Sequence, residues 1–215
     1  MKRFIMEFVG TFFLTLTVVL MGANGLAVGA MLLALAYIGA HVSGAHYNPS
    51  FTLAGIFNHK LGLNSALWYW AAQLLGALVA LVGIKLAVGV AYIHPIAPEL
   101  SVWMLLAIEL LLTFVFTMVF LALNHTSHLH GNHIYGIGIG FTLTALVFFG
   151  GLYNSAIGIA SFILDTFTKG AVTENVLWYS LIYILAPLVA AILAAFAHRF
   201  FHSEDDRAYG HPRSR

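Results

Sequence analysis

Two asparagines, each preceded by a tyrosine, carry the side chains of this sequence best placed to act on a small molecule. Asn48 lies in Ser-Gly-Ala-His-Tyr-Asn-Pro-Ser, and Asn154, 106 residues later, lies in Phe-Gly-Gly-Leu-Tyr-Asn-Ser-Ala. An asparagine amide is a neutral donor that can hydrogen-bond a water or hydroxyl oxygen. Both stretches are glycine-rich breaks in an apolar chain. Two breaks at matching points of two halves indicate a transport site, because unwound backbone within a bilayer must line a cavity or be buried in protein.

The segment after each asparagine is predicted to be a helix too short to cross a bilayer, at about Pro49–Phe57 and Ser155–Leu164. Asparagine is favoured at the N-cap, and proline at the first helical position costs no hydrogen bond. A helix N-terminus carries about half a positive charge, so two such ends meeting at mid-membrane would repel cations and protons. The expected pore motifs are Asn48, Pro49 and Ser50 in the first break and Asn154, Ser155 and Ala156 in the second.

The composition is that of an integral membrane protein. Hydrophobic residues make up 61% of the chain and charged residues 8%, with a mean hydropathy of +0.93, whereas soluble domains carry about 25% charged residues. A net charge of +1 gives no indication of a nucleic-acid partner. The absence of cysteine excludes disulfides, thiolate metal sites and cysteine nucleophiles. Neither a cofactor nor a bound metal is expected.

Six apolar stretches approach the roughly 20 residues that a transmembrane helix needs. The predicted class is therefore an all-α integral membrane fold with six transmembrane helices and two re-entrant half-helices. Residues 1–203 are expected to form a single transmembrane channel domain with repeats at about 1–95 and 96–203, followed by a polar cytoplasmic tail over 204–215. The predicted spans are Phe4–Met21, Leu26–Val42, Ser65–Val90, Leu100–Leu123, Ile134–Phe149 and Val176–Phe201.

Lysine and arginine are distributed unevenly between the two sides of these spans. One side carries seven of them and the other carries only Lys169 and Lys85. The positive-inside rule then places both termini in the cytoplasm of a multi-pass protein of the plasma (inner) membrane.

The two halves also repeat outside the breaks. Glu7, Thr11 and Thr15 recur as Glu109, Thr113 and Thr117, with the same spacing of four residues. A repeated unit of three spans reverses its direction, so the halves must have inverted topology. Each glutamate lies inside an apolar span, where a carboxylate is costly unless its hydrogen bonds are satisfied. A proton relay is one interpretation. We favour structural support of a neighbouring break, with His46 helping to hold the first one.

Together these features resemble the aquaporin and glycerol-facilitator family of major intrinsic proteins over nearly the whole chain. The stretch from Ser43 to Ser50 is similar to that family's first signature, Ser-Gly-Ala-His-x-Asn-Pro-Ala. The family usually shows Asn-Pro-Ala-Arg at the second position, whereas this chain has Asn154-Ser155-Ala156-Ile157. The proline that starts the half-helix and the arginine are both missing. The resemblance also implies supporting roles for Glu7 and Glu109, and a homotetramer in the lipid bilayer.

The resulting hypothesis is a passive channel, not an enzyme. It would admit water and/or small uncharged solutes (glycerol, urea or ammonia-like molecules) and exclude ions. Family selectivity is set by a ring outside the asparagines, and matching by distance from each asparagine gives an apolar ring without arginine. Its expected members are Val28, Thr142 or Leu143, Gly151 and Ile157.

Three other classes remain open at this stage. A coupled secondary transporter also has broken helices and inverted repeats, but it would normally need an ion-coordinating site at the midplane. An intramembrane metalloenzyme is suggested only by 11 histidines, without a His-Glu-x-x-His motif. A non-conducting structural membrane protein would follow if the altered second motif reflected a lost pore.

Four histidines crowd the predicted cytoplasmic loop between the fourth and fifth spans: His125, His128, His130 and His133. The unperturbed pKa of an imidazole is about 6.5, so the loop could gain charge in mild acid. Two or three of these side chains could also meet one Zn²⁺. One interpretation is a solvated loop, and the other is a gate at the cytoplasmic mouth of the pore.

Overall fold

The structure is a computed structural model that describes residues 1–22, 24–89, 100–125, 134–169 and 174–202. These ranges contain eight helices and no strand. The predicted all-α membrane fold is therefore confirmed, while the predicted tail at 204–215 lies outside the described residues. The helices are α1 Lys2–Met21, α2 Gly25–Ser43, α3 Pro49–Phe57, α4 Leu63–Val88, α5 Val102–His125, α6 Tyr135–Val147, α7 Ser155–Lys169 and α8 Glu174–Phe201.

Five helices in the described ranges are long and apolar enough to cross a bilayer, namely α1, α2, α4, α5 and the Leu177–Phe201 part of α8. Helix α6 is shorter than the predicted fifth span, Ile134–Phe149, because it has only 13 residues. At 1.5 Å per residue this is about 20 Å, against a hydrocarbon thickness of about 30 Å. The helix ends in a tight turn in which the Phe149 N–H donates to the Leu146 carbonyl, and Gly150 follows with φ of 83°.

The second half-helix is longer than predicted. Helix α7 has 15 residues and continues to Lys169, beyond the predicted end near Leu164. Its continuation has a local cause, since the chain between Gly158 and Gly170 contains neither glycine nor proline. The hydroxyl of Thr166 bonds to the carbonyl of Phe162, four residues earlier in the same helix.

The two halves of the chain interlock. Helix α1 packs on α4 in the first half, as α5 packs on α8 in the second, and α2 lies along α6 between them. Each half-helix also reaches across: α3 packs on α8, and α7 packs on both α4 and α8. Backbones approach closely at Gly76, where an added Cβ would lie 2.5 Å from the Phe8 carbonyl oxygen. This exchange of half-helices brings the two asparagine breaks together.

Candidate functional site

A buried tyrosine shapes each break just before its asparagine. Tyr47 and Tyr153 have left-handed φ values of 49° and 54°, which are uncommon for a bulky side chain. Each phenol donates to a helix carbonyl, Tyr47 to Leu35 at 2.9 Å and Tyr153 to Leu146 at 2.9 Å. These bonds anchor the turns and so set the direction of the residue that follows.

The two asparagines cap the half-helices and bond across to each other's break. The Oδ1 atoms of Asn48 and Asn154 accept the N–H groups of Ser50 (3.0 Å) and Ala156 (3.1 Å). The Nδ2 of Asn48 donates to the Tyr153 carbonyl at 2.7 Å. Reciprocally, the Nδ2 of Asn154 donates to the Tyr47 carbonyl at 2.9 Å. An amide nitrogen carries two hydrogens, so each asparagine keeps one N–H beyond this cross-bond.

Two serines join the half-helix N-termini. The Oγ atoms of Ser50 and Ser155 lie 3.2 Å apart, and both residues are fully buried. The Ser155 hydroxyl donates to the Ile184 carbonyl at 3.0 Å. A hydroxyl has only one hydrogen to give, so Ser50 must be the donor to Ser155. The result is a chain of bonds that runs from α3 through α7 to α8.

The part of α8 that receives Ser155 is altered by a proline. Pro187 lies inside this helix and has no N–H to donate to the carbonyl of Tyr183, four residues earlier. Gly158 of α7 packs on that carbonyl, since an added Cβ would lie 3.0 Å from the oxygen. The second half-helix, which lacks a proline of its own at the first position, is thus seated against this turn of α8.

Glu7 holds the first break. Its fully buried carboxylate accepts four hydrogen bonds: from the Ser43 hydroxyl (2.6 Å), the N–H groups of His46 (3.0 Å) and Tyr47 (2.7 Å), and the Gln73 amide (2.7 Å). Backbone donors that the turn leaves without helical partners are satisfied in this way. The geometry fits the supporting role predicted for Glu7.

Glu109 holds the second break with fewer partners. It is also fully buried, and it accepts the N–H groups of Leu152 and Tyr153, the latter at 3.1 Å. Glu7 and Glu109 therefore occupy equivalent positions in the two halves. The extra donors at Glu7 show that the first break is the more extensively bonded of the two.

His46 is packed and bonded inside the first break. Its Nδ1 lies 3.2 Å from the Thr52 hydroxyl, which also accepts from the Gln73 amide at 3.0 Å. The ring contacts Tyr69 and Phe120 edge-on, with centroids 5.2 and 5.0 Å away. From the sequence, Gln73 is a polar residue in mid-span that needs an internal hydrogen bond and could be structural or functional, whereas Thr52 was not singled out. The partners of Gln73 come from α1 and α3.

A cavity lies beside Asn154, and four of the residues expected in the selectivity ring line it. Val28, Leu143, Gly151 and Ile157 all line it. Thr142 is not part of its lining, and its hydroxyl donates to the Gly138 carbonyl within α6 at 2.8 Å. The remaining lining residues, Asn154 aside, were not predicted from the sequence. Leu14 and Val18 come from α1, Gly22 from the turn after it, Phe116 from α5, Val147 from α6, and Leu152 and Tyr153 from the second break.

A histidine cluster lies at the far end of α3. Asn58 ends this half-helix, and its Nδ2 lies 3.0 Å from the Nδ1 of His198 and 3.5 Å from the Nδ1 of His125. The His198 ring stacks on His202 at 4.3 Å. His198 in the last turn of α8 and His202 just after it were not singled out from the sequence. The other histidines of the predicted gate, His128, His130 and His133, lie outside the described residues.

Comparison with known proteins identifies the class to which this fold and site belong. Residues 1–198 match the family model described as Major intrinsic protein. The chain belongs to the major intrinsic protein family and is a multi-pass integral membrane protein. Membership in this family of aquaporins and glycerol facilitators supports a channel for water or glycerol.

Individual relatives agree with this assignment. The chain is 37% identical to "Glycerol uptake facilitator protein-like 6" of Lactiplantibacillus plantarum, over 95% of this chain and all of the relative. It is 30% identical to "Aquaporin TIP1-2" of Musa acuminata, over 82% of this chain and 69% of the relative. An X-ray structure of the aquaglyceroporin from Plasmodium falciparum has the same fold, with a TM-score of 0.76 at 21% identity, covering 96% of this chain and 98% of that one.

Proposed function

We propose that this protein is a passive channel for water and small uncharged solutes of the size of glycerol, urea or ammonia. The observation that carries the proposal is the reciprocal bonding of Asn48 and Asn154 across the two breaks. Each amide is held in place and keeps one N–H beyond the cross-bond, as a neutral donor to a passing oxygen or nitrogen. We assign the selectivity ring to Val28, Leu143, Gly151 and Ile157.

Ion exclusion in this proposal rests on the half-helices. The N-termini of α3 and α7 meet at the Ser50–Ser155 contact, and each contributes about half a positive charge. The residues that line the cavity beside Asn154 include no charged side chain. The barrier to cations and protons must then come from the positive helix ends and from the free energy needed to remove an ion from water.

A coupled secondary transporter is the main alternative, and a non-conducting structural membrane protein is the second. A transporter needs a group at the midplane that binds its coupling ion. Glu7 and Glu109 are the carboxylates that could bind such an ion within the membrane. Both already accept hydrogen bonds from the breaks that they support. This occupancy favours passive flux over coupled transport.

Orientation and assembly belong to the same proposal. We place the protein in the plasma membrane as a homotetramer with both termini in the cytoplasm. Arg199 near the end of α8 donates to the Phe57 carbonyl at the end of α3 at 3.4 Å, so these ends share one face. Lys2, Arg3 and Lys60 give the same face its positive charge under the positive-inside assignment.

The deciding experiment is osmotic swelling of liposomes that contain the purified protein, followed by stopped-flow light scattering. We expect faster water or solute entry than in protein-free liposomes, unaltered when proton or sodium gradients are imposed. Gly83→Ala is a matched control for reconstitution, because an added Cβ there meets nothing within 4 Å. Flux that follows an ion gradient would identify a coupled transporter, and the absence of any flux would identify a structural protein.

A further inference from the structure

We infer that three phenylalanine side chains form a closed gate on the side of the asparagine pair that carries the first break, and that the opening of this gate limits flux. We call Phe51, Phe116 and Phe120 the aromatic gate. The inference rests on the proposed channel function. It places a second barrier in series with the selectivity ring, at the other end of the path past Asn48 and Asn154.

The internal repeat relates the aromatic gate to the wall of the cavity beside Asn154. Positions in α1 and α5 correspond at a separation of 102 residues, the distance in sequence from Glu7 to Glu109. Positions in α3 and α7 correspond at 106 residues, the distance from Asn48 to Asn154. Three aliphatic residues of the cavity wall therefore correspond to three phenylalanines on the side of the first break. The pairs are Leu14 with Phe116, Val18 with Phe120, and Ile157 with Phe51.

Two further residues of the cavity wall have equivalents at the same place. The tyrosine phenols of the two breaks bond to equivalent carbonyls, those of Leu35 in α2 and Leu146 in α6, which are 111 residues apart. Both equivalents obtained from this separation belong to the buried apolar cluster that contains the aromatic gate. These pairs are Leu143 with Leu32, and Val28 with Ile139.

The three rings of the aromatic gate are in direct contact. Phe51 stacks on Phe120, with centroids 4.2 Å apart and ring planes 14° from parallel. Phe116 meets Phe51 at an interplanar angle of 64°, with centroids 4.7 Å apart. All three side chains are buried. Rings stacked at this separation leave no space for a water molecule between them, so a permeant can pass only after they move.

The aromatic gate lies between the cavity and the first break. Phe116 also lines the cavity beside Asn154, so the gate begins where that cavity ends. At the other end, the ring of Phe120 meets that of His46 edge-on, with centroids 5.0 Å apart. A phenylalanine side chain is larger than that of leucine, isoleucine or valine. Similar helix packing therefore leaves a cavity on one side of the asparagines and packs rings together on the other.

Opening the aromatic gate requires the loss of contacts between rings. Such contacts are favourable beyond the burial of apolar area, and an apolar constriction excludes water until it widens. The selectivity ring borders a cavity that is already open. When two barriers lie in series, the higher one sets the rate. Flux should therefore depend more strongly on Phe51 than on the width of the cavity beside Asn154.

Phe51→Ile tests the gate, because it introduces the residue that the cavity wall has at the equivalent position, Ile157. Phe120→Val makes the corresponding change at a second gate position and covers the case in which Phe51→Ile folds poorly. Phe57→Ile is the matched control: it makes the same change near the end of α3, in a ring that contacts Phe196 of α8. Water permeability is measured by stopped-flow light scattering in proteoliposomes at several temperatures, with the values of protein-free vesicles subtracted.

We expect water permeability to rise by about tenfold in both gate variants and to depend less steeply on temperature, because each variant removes ring contacts that must break before the path opens. Phe57→Ile should match the native protein. Equal permeability in the native protein and both gate variants would overturn the inference and leave the channel function intact. A rise of the same size in Phe57→Ile would also overturn it, since general loosening of α3 would then explain the effect. If neither the native protein nor any variant conducts water or a solute, the channel function itself fails, and the inference with it.

Discussion

The hydroxyls of Ser50 and Ser155, 105 residues apart in the chain, lie 3.2 Å apart where the two half-helices meet. The position of Ser155 is the one at which the family's second motif usually has proline. Ser155 compensates for that loss by bonding to the Ile184 carbonyl of α8, in the turn that Pro187 alters. The second half-helix is therefore held by side-chain bonds where a proline would have preset its backbone.

The serine pair should be energetically coupled. Ser155→Ala removes two hydrogen bonds and should lower stability by about 1–3 kcal/mol, whereas Ser50→Ala removes one and should cost about 1 kcal/mol. The double variant should cost less than the sum, because both changes remove the shared bond. Thermal unfolding in detergent measures all three. Ser161→Ala is the control, since that hydroxyl bonds only within α7, to the Ile157 carbonyl. Strict additivity would mean that the pair does not interact.

Restoring an arginine at the cavity should close it to larger solutes. Ile157→Arg introduces a long, charged side chain among apolar neighbours such as Val28 and Leu143. Urea and glycerol permeability should fall by at least about tenfold, because the charged side chain narrows the cavity and orders water in it. Uptake by liposomes measures the effect, and Ile157→Met is the control, an unbranched and uncharged side chain of nearly native volume. Solute flux through the arginine variant equal to native flux would contradict the assignment of Ile157 to the selectivity ring.

Ion exclusion should fail when a negative charge is placed at the meeting point of the half-helices. Asn154→Asp keeps the shape of the side chain and can still accept the Ala156 N–H, but it loses the donor to the Tyr47 carbonyl. Cations or protons should then enter, because an anion offsets the positive helix ends. A pH-sensitive dye inside the liposomes reports the leak. Free proton leakage through the native protein would show that the half-helix ends alone are an insufficient barrier.

The two buried glutamates should differ in their importance for stability. Glu7→Gln replaces one acceptor oxygen by a donor that faces hydroxyl, amide and backbone N–H donors, so we expect a loss of about 3 kcal/mol or more. Glu109→Gln affects two backbone donors, the N–H groups of Leu152 and Tyr153, and should cost less. Thermal unfolding with fluorescence detection gives both values. If instead both variants unfold at the same temperature as the native protein and lose only proton-dependent flux, the proton-relay interpretation is correct.

The histidines at positions 125, 128, 130 and 133 should make flux depend on pH or on zinc. The test variant carries alanine at positions 125, 128, 130 and 133, and its permeability is recorded from pH 5 to 8 with and without zinc. Protonation of His125 adds charge next to Asn58, which also contacts His198, so we expect native flux to change in mild acid and variant flux to change less. His41→Ala, an exposed histidine at the end of α2, is the control. Identical profiles for native and variant proteins would make the loop a bystander.

The sequence by itself determined the features that depend on neighbouring residues. Apolar stretches of sufficient length predicted the long helices, and asparagine before an apolar run predicted a half-helix that begins at Pro49 or Ser155. The repeat of Glu7 as Glu109 indicated two equivalent halves. Hydropathy and helix capping act over a few residues, which is why one sequence sufficed to predict the membrane class and the position of both breaks.

Only the tertiary structure decided which residues meet. It placed Leu143, not Thr142, at the cavity, because the rotation of α6 against α2 determines which of two adjacent side chains faces inward. It also joined Ser50 to Ser155, and His198 to the end of α3. Such contacts depend on how whole helices pack against one another, and no local pattern of residue types carries that information.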